Sequence, residues 1–183
     1  MEIASKSYLS LYEHLLVHKL RDDAAYVPSL TYVAEVYGHV VGLIMYAKAQ
    51  LILKDGSAAE ILTFGPLCVD PQYQNKGIGG KLLTETLFEA KNLGAKGIVI
   101  FGEPDYYPKF GFSTCDKWGI TTAEGKNFSS FLGIELVPGG LDYPGAYFKE
   151  PEVYYNLPKD ELEIFDKLFP YMEKKRLPGQ WPD

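Results

Sequence analysis

Apolar residues recur at helical spacing between positions 8 and 22, where Leu11, Leu15, Val17 and Leu20 stand among charged residues, and an amphipathic helix is predicted there. Asp22 to Pro28 breaks that pattern. Strand-like alternation runs from Thr31 to Tyr37, turns at Gly38-His39 and returns through Val40 to Ala47 as a hairpin, with Gln50 to Leu53 extending its second strand. After a turn at Asp55-Gly56, Glu60 to Val69 reads as a third strand interrupted at Gly65-Pro66. Proline has no N–H to give a sheet ladder, so a bulge or splayed edge is expected at that point. Ile78, Leu82, Leu83, Leu87 and Ala90 form the buried stripe of a helix that stops at Gly94. Ile98 to Phe101 is short and wholly apolar, as a central strand is. A short helix near Asp105 to Lys109 follows, then a loop-rich region to Asn127 and late strands over Ile134 to Val137 and Ala146 to Phe148. A final helix is predicted over 158–176, with Leu162, Phe165, Phe169 and Met172 on one side and a bend at Pro170. Acidic residues open it and Lys174, Lys175 and Arg176 close it, in keeping with the helix dipole. Hairpin, strand, polar turn, helix, strand and helix together predict an α/β (mixed α+β) fold, a mixed sheet with helices on both faces.

At 183 residues, 46% apolar and 23% charged, the chain fits one soluble globular domain. The longest apolar run, Val40 to Ala47, falls short of the ~20 residues that span a bilayer, so no membrane association is expected. The first residues, with Glu2 and Lys6 among polar positions, do not read as a signal peptide, and a cytoplasmic location is the expectation. Cys68 and Cys115 belong to no Cys-x-x-Cys metal or redox pair. A net charge of −6 without clustered Lys and Arg argues against a nucleic-acid partner. An acidic surface favours cationic amines, although the same charge also serves ordinary solubility.

The most informative segment runs from Gly65 to Leu83, from apolar strand through a polar, glycine-bearing turn into the helix. N–H groups at a helix start lack intrahelical partners and lie at the positive end of the dipole, so a turn that exposes them attracts phosphate oxygens. Gly77 and Gly79 let a ligand approach the main chain. Read as Gln-x-x-Gly-x-Gly the spacing is weak by itself, but residue identity excludes two rivals. A dinucleotide fingerprint needs a third glycine where Leu82 stands, and a P-loop needs glycine in place of Asn75 and Ser or Thr after Lys81.

A second signature follows in Gly102-Glu103-Pro104-Asp105-Tyr106-Tyr107-Pro108-Lys109-Phe110-Gly111-Phe112. With the strand Leu67 to Val69, the turn Gln74 to Gly79 and Tyr107 four residues ahead of Gly111-Phe112, the chain resembles the GCN5-related N-acetyltransferase (GNAT) superfamily over roughly residues 11 to 150. Within it, the chain is most similar to uncharacterised bacterial predicted acetyltransferases that carry Gly-Asp/Glu-Pro-x-Tyr-Tyr-x-x-Phe-Gly-Phe. The resemblance implies a central mixed, mostly antiparallel twisted sheet. Related chains usually have another strand and helix ahead of the region matching Leu11, so the usual first strand is expected to be missing. Residues 1–150 are then the acetyl-CoA-binding domain and 151–183 a C-terminal helical extension packed on it.

The resemblance further implies acetyl-CoA as donor, with no metal. The backbone of Leu67 and Val69 would pair with pantetheine amides as an added strand does. Main-chain N–H groups over Gln74, Asn75, Lys76, Gly77, Ile78 and Gly79 would hold the pyrophosphate, with Gly80 and Lys81 also at the cofactor. Gln74 stands where many relatives have Arg, and Lys76 and Lys81 are either the replacement for that charge or simply solvated. Acetyl transfer needs a base for the ammonium, a donor to the carbonyl oxygen and an acid for the departing thiolate. Glu60 is the candidate base, although a solvated strand-end carboxylate is the plainer reading. The N–H of Leu67 or Cys68 is the candidate donor. Tyr107 is the candidate acid, since a phenol is protonated at neutral pH; the plainer reading makes it and Tyr106 packing residues. The acceptor is expected to be a small amine or a protein amino group, met directly in a ternary complex. A catalytically inactive acyl-CoA-binding sensor or structural domain of the same fold is the alternative.

Other chemistry-bearing residues have weaker claims. His14 and His18 lie one helical turn apart but lack the glutamate of His-Glu-x-x-His, so structural packing is expected. Cys68 has no histidine near in sequence, and strand alternation makes it a core residue. Tyr143, Tyr147, Phe148, Tyr154 and Tyr155 could line an acceptor pocket, a core or the interface of a homodimer.

Overall fold

The computed structural model describes residues 12–169. Strands β1 (Tyr32–Val36), β2 (His39–Ile52), β3 (Ala58–Val69), β4 (Gly97–Phe101), β5 (Ser113–Thr114), β6 (Phe131–Glu135) and β7 (Tyr147–Lys149) form a seven-stranded sheet of order β1-β2-β3-β4-β6-β5, with β7 beside β2. β3 and β4 run parallel, and the pairs β1-β2, β2-β7, β4-β6 and β5-β6 are antiparallel. Among the described residues the α-helices are α1 (Glu13–Leu20), α2 (Ile78–Asn92) and α3 (Lys159–Asp166). The described residues fall into two compact units, one drawn from the segment ending at Tyr46, Gly65–Thr86 and the segment starting at Glu152, the other from Ala47–Phe64 and Leu87–Pro151.

In the first unit, Leu15, Val17 and Leu20 of α1, Leu30, the central residues of β2 and Leu82 and Leu83 of α2 are buried. Their helical and strand spacing is the pattern visible in the sequence. Tyr46, fully buried, keeps its hydroxyl satisfied against Thr86 at 3.0 Å, and Thr86 in turn bonds the Leu82 carbonyl at 2.8 Å. The β1-β2 turn is Tyr37-Gly38 rather than Gly38-His39. Both central residues take positive φ, 51° and 79°, and Val36 pairs with His39, as the right-handed twist of a two-residue hairpin demands.

The second unit has its core among Leu51, Ile61, Val99, Ile120, Phe131, Leu141 and Phe148. Phe101 joins it through rings 5.2 Å from Phe131 and 5.7 Å from Phe148. The late strands lie at Phe131–Glu135 and Tyr147–Lys149, displaced from the predicted Ile134 to Val137 and Ala146 to Phe148. Gly133 reads as a breaker in sequence. In the structure it sits mid-strand because a Cβ there would come within 3.1 Å of both Leu141 and Trp118. The strand ends before Leu136 and Val137, whose N–H groups both turn to the Lys96 carbonyl. β5 falls within the region read as loop, since two residues carry too little alternation to be seen.

Three further expectations change. β3 is continuous through Gly65-Pro66 rather than interrupted, and its register with β4, Leu62 opposite Ile98, lies ahead of the proline. α1 is shorter than the predicted 8–22, of which 8–11 lie outside the described residues. α3 stops at Asp166, where the N–H groups of Leu168 and Phe169 bond carbonyls three residues back. That tightening agrees with the restriction a proline places on the residue before it. The predicted bend at Pro170, Met172 and the basic residues 174–176 lie outside the described residues, as do most of the residues that bear on a missing first strand.

Candidate functional site

The cradle is assembled within the first unit from the end of β3, the turn after it and the start of α2. Cys68 is buried at 1% exposure between half-buried Leu67 and Val69, so its thiol faces the core. Burial, and secondarily the charge of Glu13, pushes that thiol far above the ordinary cysteine range, which removes it as a nucleophile. Asp70 ends the strand. Its N–H donates to the Val41 carbonyl at 2.8 Å, and its carboxylate and carbonyl accept from the N–H groups of Gln72 and Tyr73 at 2.9 and 2.8 Å.

Gln74 then folds back, its side-chain amide donating to the Val69 carbonyl at 3.0 Å. A carbonyl has a second lone pair, so Val69 keeps acceptor capacity for a ligand amide. Asn75 and Gly77 take positive φ, 59° and 81°, and the first helical bond runs from Lys81 N–H to the Gly77 carbonyl at 2.9 Å. The N–H groups of Ile78, Gly79 and Gly80 precede that bond and form the positive end of the helix. Lys76 curls over the turn, donating to the Gln72 carbonyl at 3.0 Å with its ammonium 4.9 Å from the Tyr73 ring centre. Lys81 is exposed.

One contributor escaped the sequence reading. Gly42 of β2 lies under this helix start: a Cβ on it would meet Leu82 at 3.0 Å, Ile78 at 3.2 Å and Ala34 at 3.3 Å. The helix can descend onto the strand because residue 42 has no side chain. A lone glycine inside the apolar run Val40 to Ala47 was the available signal.

Glu60 and Tyr107 belong to the second unit. Glu60 is exposed near the start of β3 and pairs with Lys48 at 3.2 Å. Tyr107 opens a single 3-10 turn, Tyr107–Phe110, whose N-terminal Tyr106 and Tyr107 N–H groups bond the Glu103 carbonyl. Gly111, at φ 97°, closes that turn as a left-handed cap, which explains a glycine after the tyrosine-bearing segment. Half-buried Tyr107 packs at 5.8 Å from Phe64, 5.6 Å from Phe112 and 5.1 Å from Tyr106. Gly102 lies directly beneath its ring, where any Cβ would collide with it. Tyr106 carries the Lys109 ammonium 3.9 Å from its ring centre, and burial raises its phenol above the ordinary value.

The remaining candidates sort by contact. His14 pairs with Asp166 at 2.6 Å, and its ring stacks on Phe165 at 5.5 Å, as does that of His18 at 4.9 Å. Phe148 is core, Tyr147 and Tyr155 are exposed, and Tyr154 donates its hydroxyl to the Gly65 carbonyl at 3.2 Å. A cavity of about 570 Å³ opens between α1, the Glu152–Tyr154 turn and α3, lined by Leu15, His18, Asp22, Glu152 and Phe165; none of the predicted site residues lines it. No described helix is long and apolar enough to cross a membrane.

A mixed, mostly antiparallel sheet whose third strand runs into a phosphate-type turn and helix defines the GNAT fold. Residues 28–114 match the model of the acetyltransferase (GNAT) domain. Escherichia coli (strain K12) YjhQ, described as an uncharacterised N-acetyltransferase, is 30% identical over 115 residues, 62% of each chain. YhbS of the same strain, described likewise, is 29% identical over 107 residues, 58% of this chain and 62% of its own. The chain thus matches somewhat under two thirds of the length of these curated relatives. Among solved structures, YhbS in complex with CoA aligns with TM-score 0.75 at 24% identity, over 85% of this chain and 84% of that one. A GNAT family acetyltransferase from Brucella melitensis in complex with acetyl-CoA aligns with TM-score 0.63 at 28% identity, over 84% and 90%.

Proposed function

We propose that the protein moves an acetyl group from acetyl-CoA to a primary amine by direct attack in a ternary complex. The observation that carries this reading is the cradle: half-buried Leu67 and Val69 at a strand end, followed by a turn that leaves the N–H groups of residues 78–80 ahead of the first helical bond. Such a strand end can pair with pantetheine amides, and such a helix start favours phosphate. The bound CoA and acetyl-CoA in the two similar structures support the same ligand. Residues 1–150 would form the acetyl-CoA-binding domain and 151–183 its extension.

Each chemical requirement has a candidate in the chain. Glu60 takes the proton of the ammonium, through water, so that the nitrogen lone pair can attack. The N–H of Leu67 or Cys68 donates to the carbonyl oxygen as it gains charge. Tyr107 gives its phenolic proton to the sulfur as the C–S bond breaks. Cys68, buried and protonated, takes no acyl group, which favours direct transfer over a covalent intermediate. The acceptor is a small amine or a protein amino group.

Thiol release from acetyl-CoA in the presence of an amine panel tests the reading. Amine-dependent release at a rate well above background is expected. Binding of acetyl-CoA with no release from any amine would leave the acyl-CoA-binding sensor as the surviving interpretation.

A further inference from the structure

We propose that Tyr154 is a positioning residue for acetyl transfer, fixing the Gly65 peptide and through it whichever N–H, that of Leu67 or of Cys68, donates to the carbonyl oxygen. The inference rests on the acetyl-CoA reading above. Tyr154 lies 89 positions from Gly65 in sequence, yet its hydroxyl donates to the Gly65 carbonyl at 3.2 Å. A Cβ on residue 65 would come within 3.3 Å of Tyr154 Cε1 and 3.8 Å of its hydroxyl oxygen. A side chain at residue 65 would press on the ring by a few tenths of an ångström.

The contact falls beside Pro66 of β3. Pro66 offers no N–H to a neighbouring strand, so the Gly65-Pro66 peptide lacks one of the bonds that hold the rest of the strand. Tyr154 supplies a bond at the carbonyl just ahead of it. Residues 67 and 68 follow at once along a chain whose Cα spacing is fixed. Their N–H directions are therefore coupled to the orientation of the Gly65 peptide.

Tyr154 is itself well anchored. The N–H groups of Tyr155 and Asn156 both bond the Glu152 carbonyl at 2.9 Å, and Val153 is buried at 7% exposure. A donor aimed at an oxygen that gains charge only in the transition state is sensitive to displacements well under an ångström, so a fixed strut here acts on rate more than on ground-state affinity.

The test uses the full chain and acetyl-CoA labelled with ¹³C at the thioester carbonyl, whose infrared stretch reports hydrogen bonding to that oxygen without any acceptor amine. Tyr154→Phe keeps the ring and removes the hydroxyl. Acetyl-CoA affinity within ~2-fold of wild type is expected, with the bound carbonyl band moved back toward its position in free acetyl-CoA. With an active amine, kcat should fall ~3- to 10-fold. Gly65→Ala, which presses on the ring and leaves the hydroxyl in place, should shift the band in the same direction. Tyr155→Phe, at the exposed neighbour, should change neither readout. An unchanged carbonyl band in Tyr154→Phe overturns the proposal, as does an equal shift in Tyr155→Phe or a loss of affinity that accounts for the whole effect. Failure of the wild-type protein to bind acetyl-CoA would instead overturn the cofactor reading, and this inference with it.

Discussion

Tyr107 can lie where it does only because residue 102 has no side chain: a Cβ there would fall against the tyrosine ring itself. This gives two independent ways to disturb one residue. Tyr107→Phe keeps the ring that packs against Phe64 and Phe112 and removes the hydroxyl, so kcat should fall ~10- to 100-fold while CoA affinity stays near wild type. Gly102→Ala keeps the proton and displaces the ring. It should lower kcat comparably and also reduce stability by ~1 to 3 kcal/mol, the usual range for overpacking. Steady-state kinetics with CoA titration and urea unfolding separate the two signatures; an unchanged rate in Tyr107→Phe removes the phenol from the mechanism. The cysteines give a third residue-level expectation. Both are buried, at 1% and 0% exposure, with thiols raised by burial, so a thiol reagent at pH 8 should label neither until the protein is denatured.

The cradle is a property of elements rather than of any side chain. α2 meets β2 at Gly42, where a substituent would have to push against Leu82 and Ile78 in the first turns of the helix. Gly42→Val should therefore move the helix start off the strand and weaken CoA binding by ~10-fold or more, measured calorimetrically; unchanged affinity would dissociate that contact from the cradle. The same interaction shows what the sequence could and could not disclose. The turn from Asp70 to Gly80 was legible because its chemistry is local: glycines, a proline and a helix stripe within one short segment. Tyr107 was legible through the spacing to Gly111, which caps its turn. Gly42 and Tyr154 matter through partners 8 to 89 positions away, and such contacts leave no periodic trace in the chain. The same distinction explains the strand ends. Gly133 looks like a breaker until Leu141 and Trp118 are seen to require it, whereas α2 is bounded by local signals, Gly77 before and Gly94 after, both at positive φ.

Across the whole molecule, burial of ionisable groups sets how stability responds to pH. Tyr46 and Cys68 in the first unit and Cys115 in the second are all raised by desolvation, which at Tyr46 outweighs the opposing effect of the hydrogen bond it shares with Thr86. Below their ordinary values, 9.0 for cysteine and 10.0 for tyrosine, these groups are protonated whether the chain is folded or not, and they leave stability unaffected. Above those values the unfolded chain releases protons that the folded chain retains. The unfolded state then binds fewer protons, and stability falls as pH rises, by up to about 1.4 kcal/mol per pH unit for each group. The net charge of −6 adds self-repulsion in the same direction as the lysines lose their protons. Urea midpoints should accordingly be flat between pH 7 and about 8.5 and decline steeply by pH 10.5. Cys115→Ala removes one of the three acids from a core that includes Val99, Ile120 and Phe131, and should make the alkaline decline shallower even if the midpoint at pH 7 shifts slightly. Equal slopes in the two proteins would show that Cys115 ionises as readily folded as unfolded, against the burial seen for it.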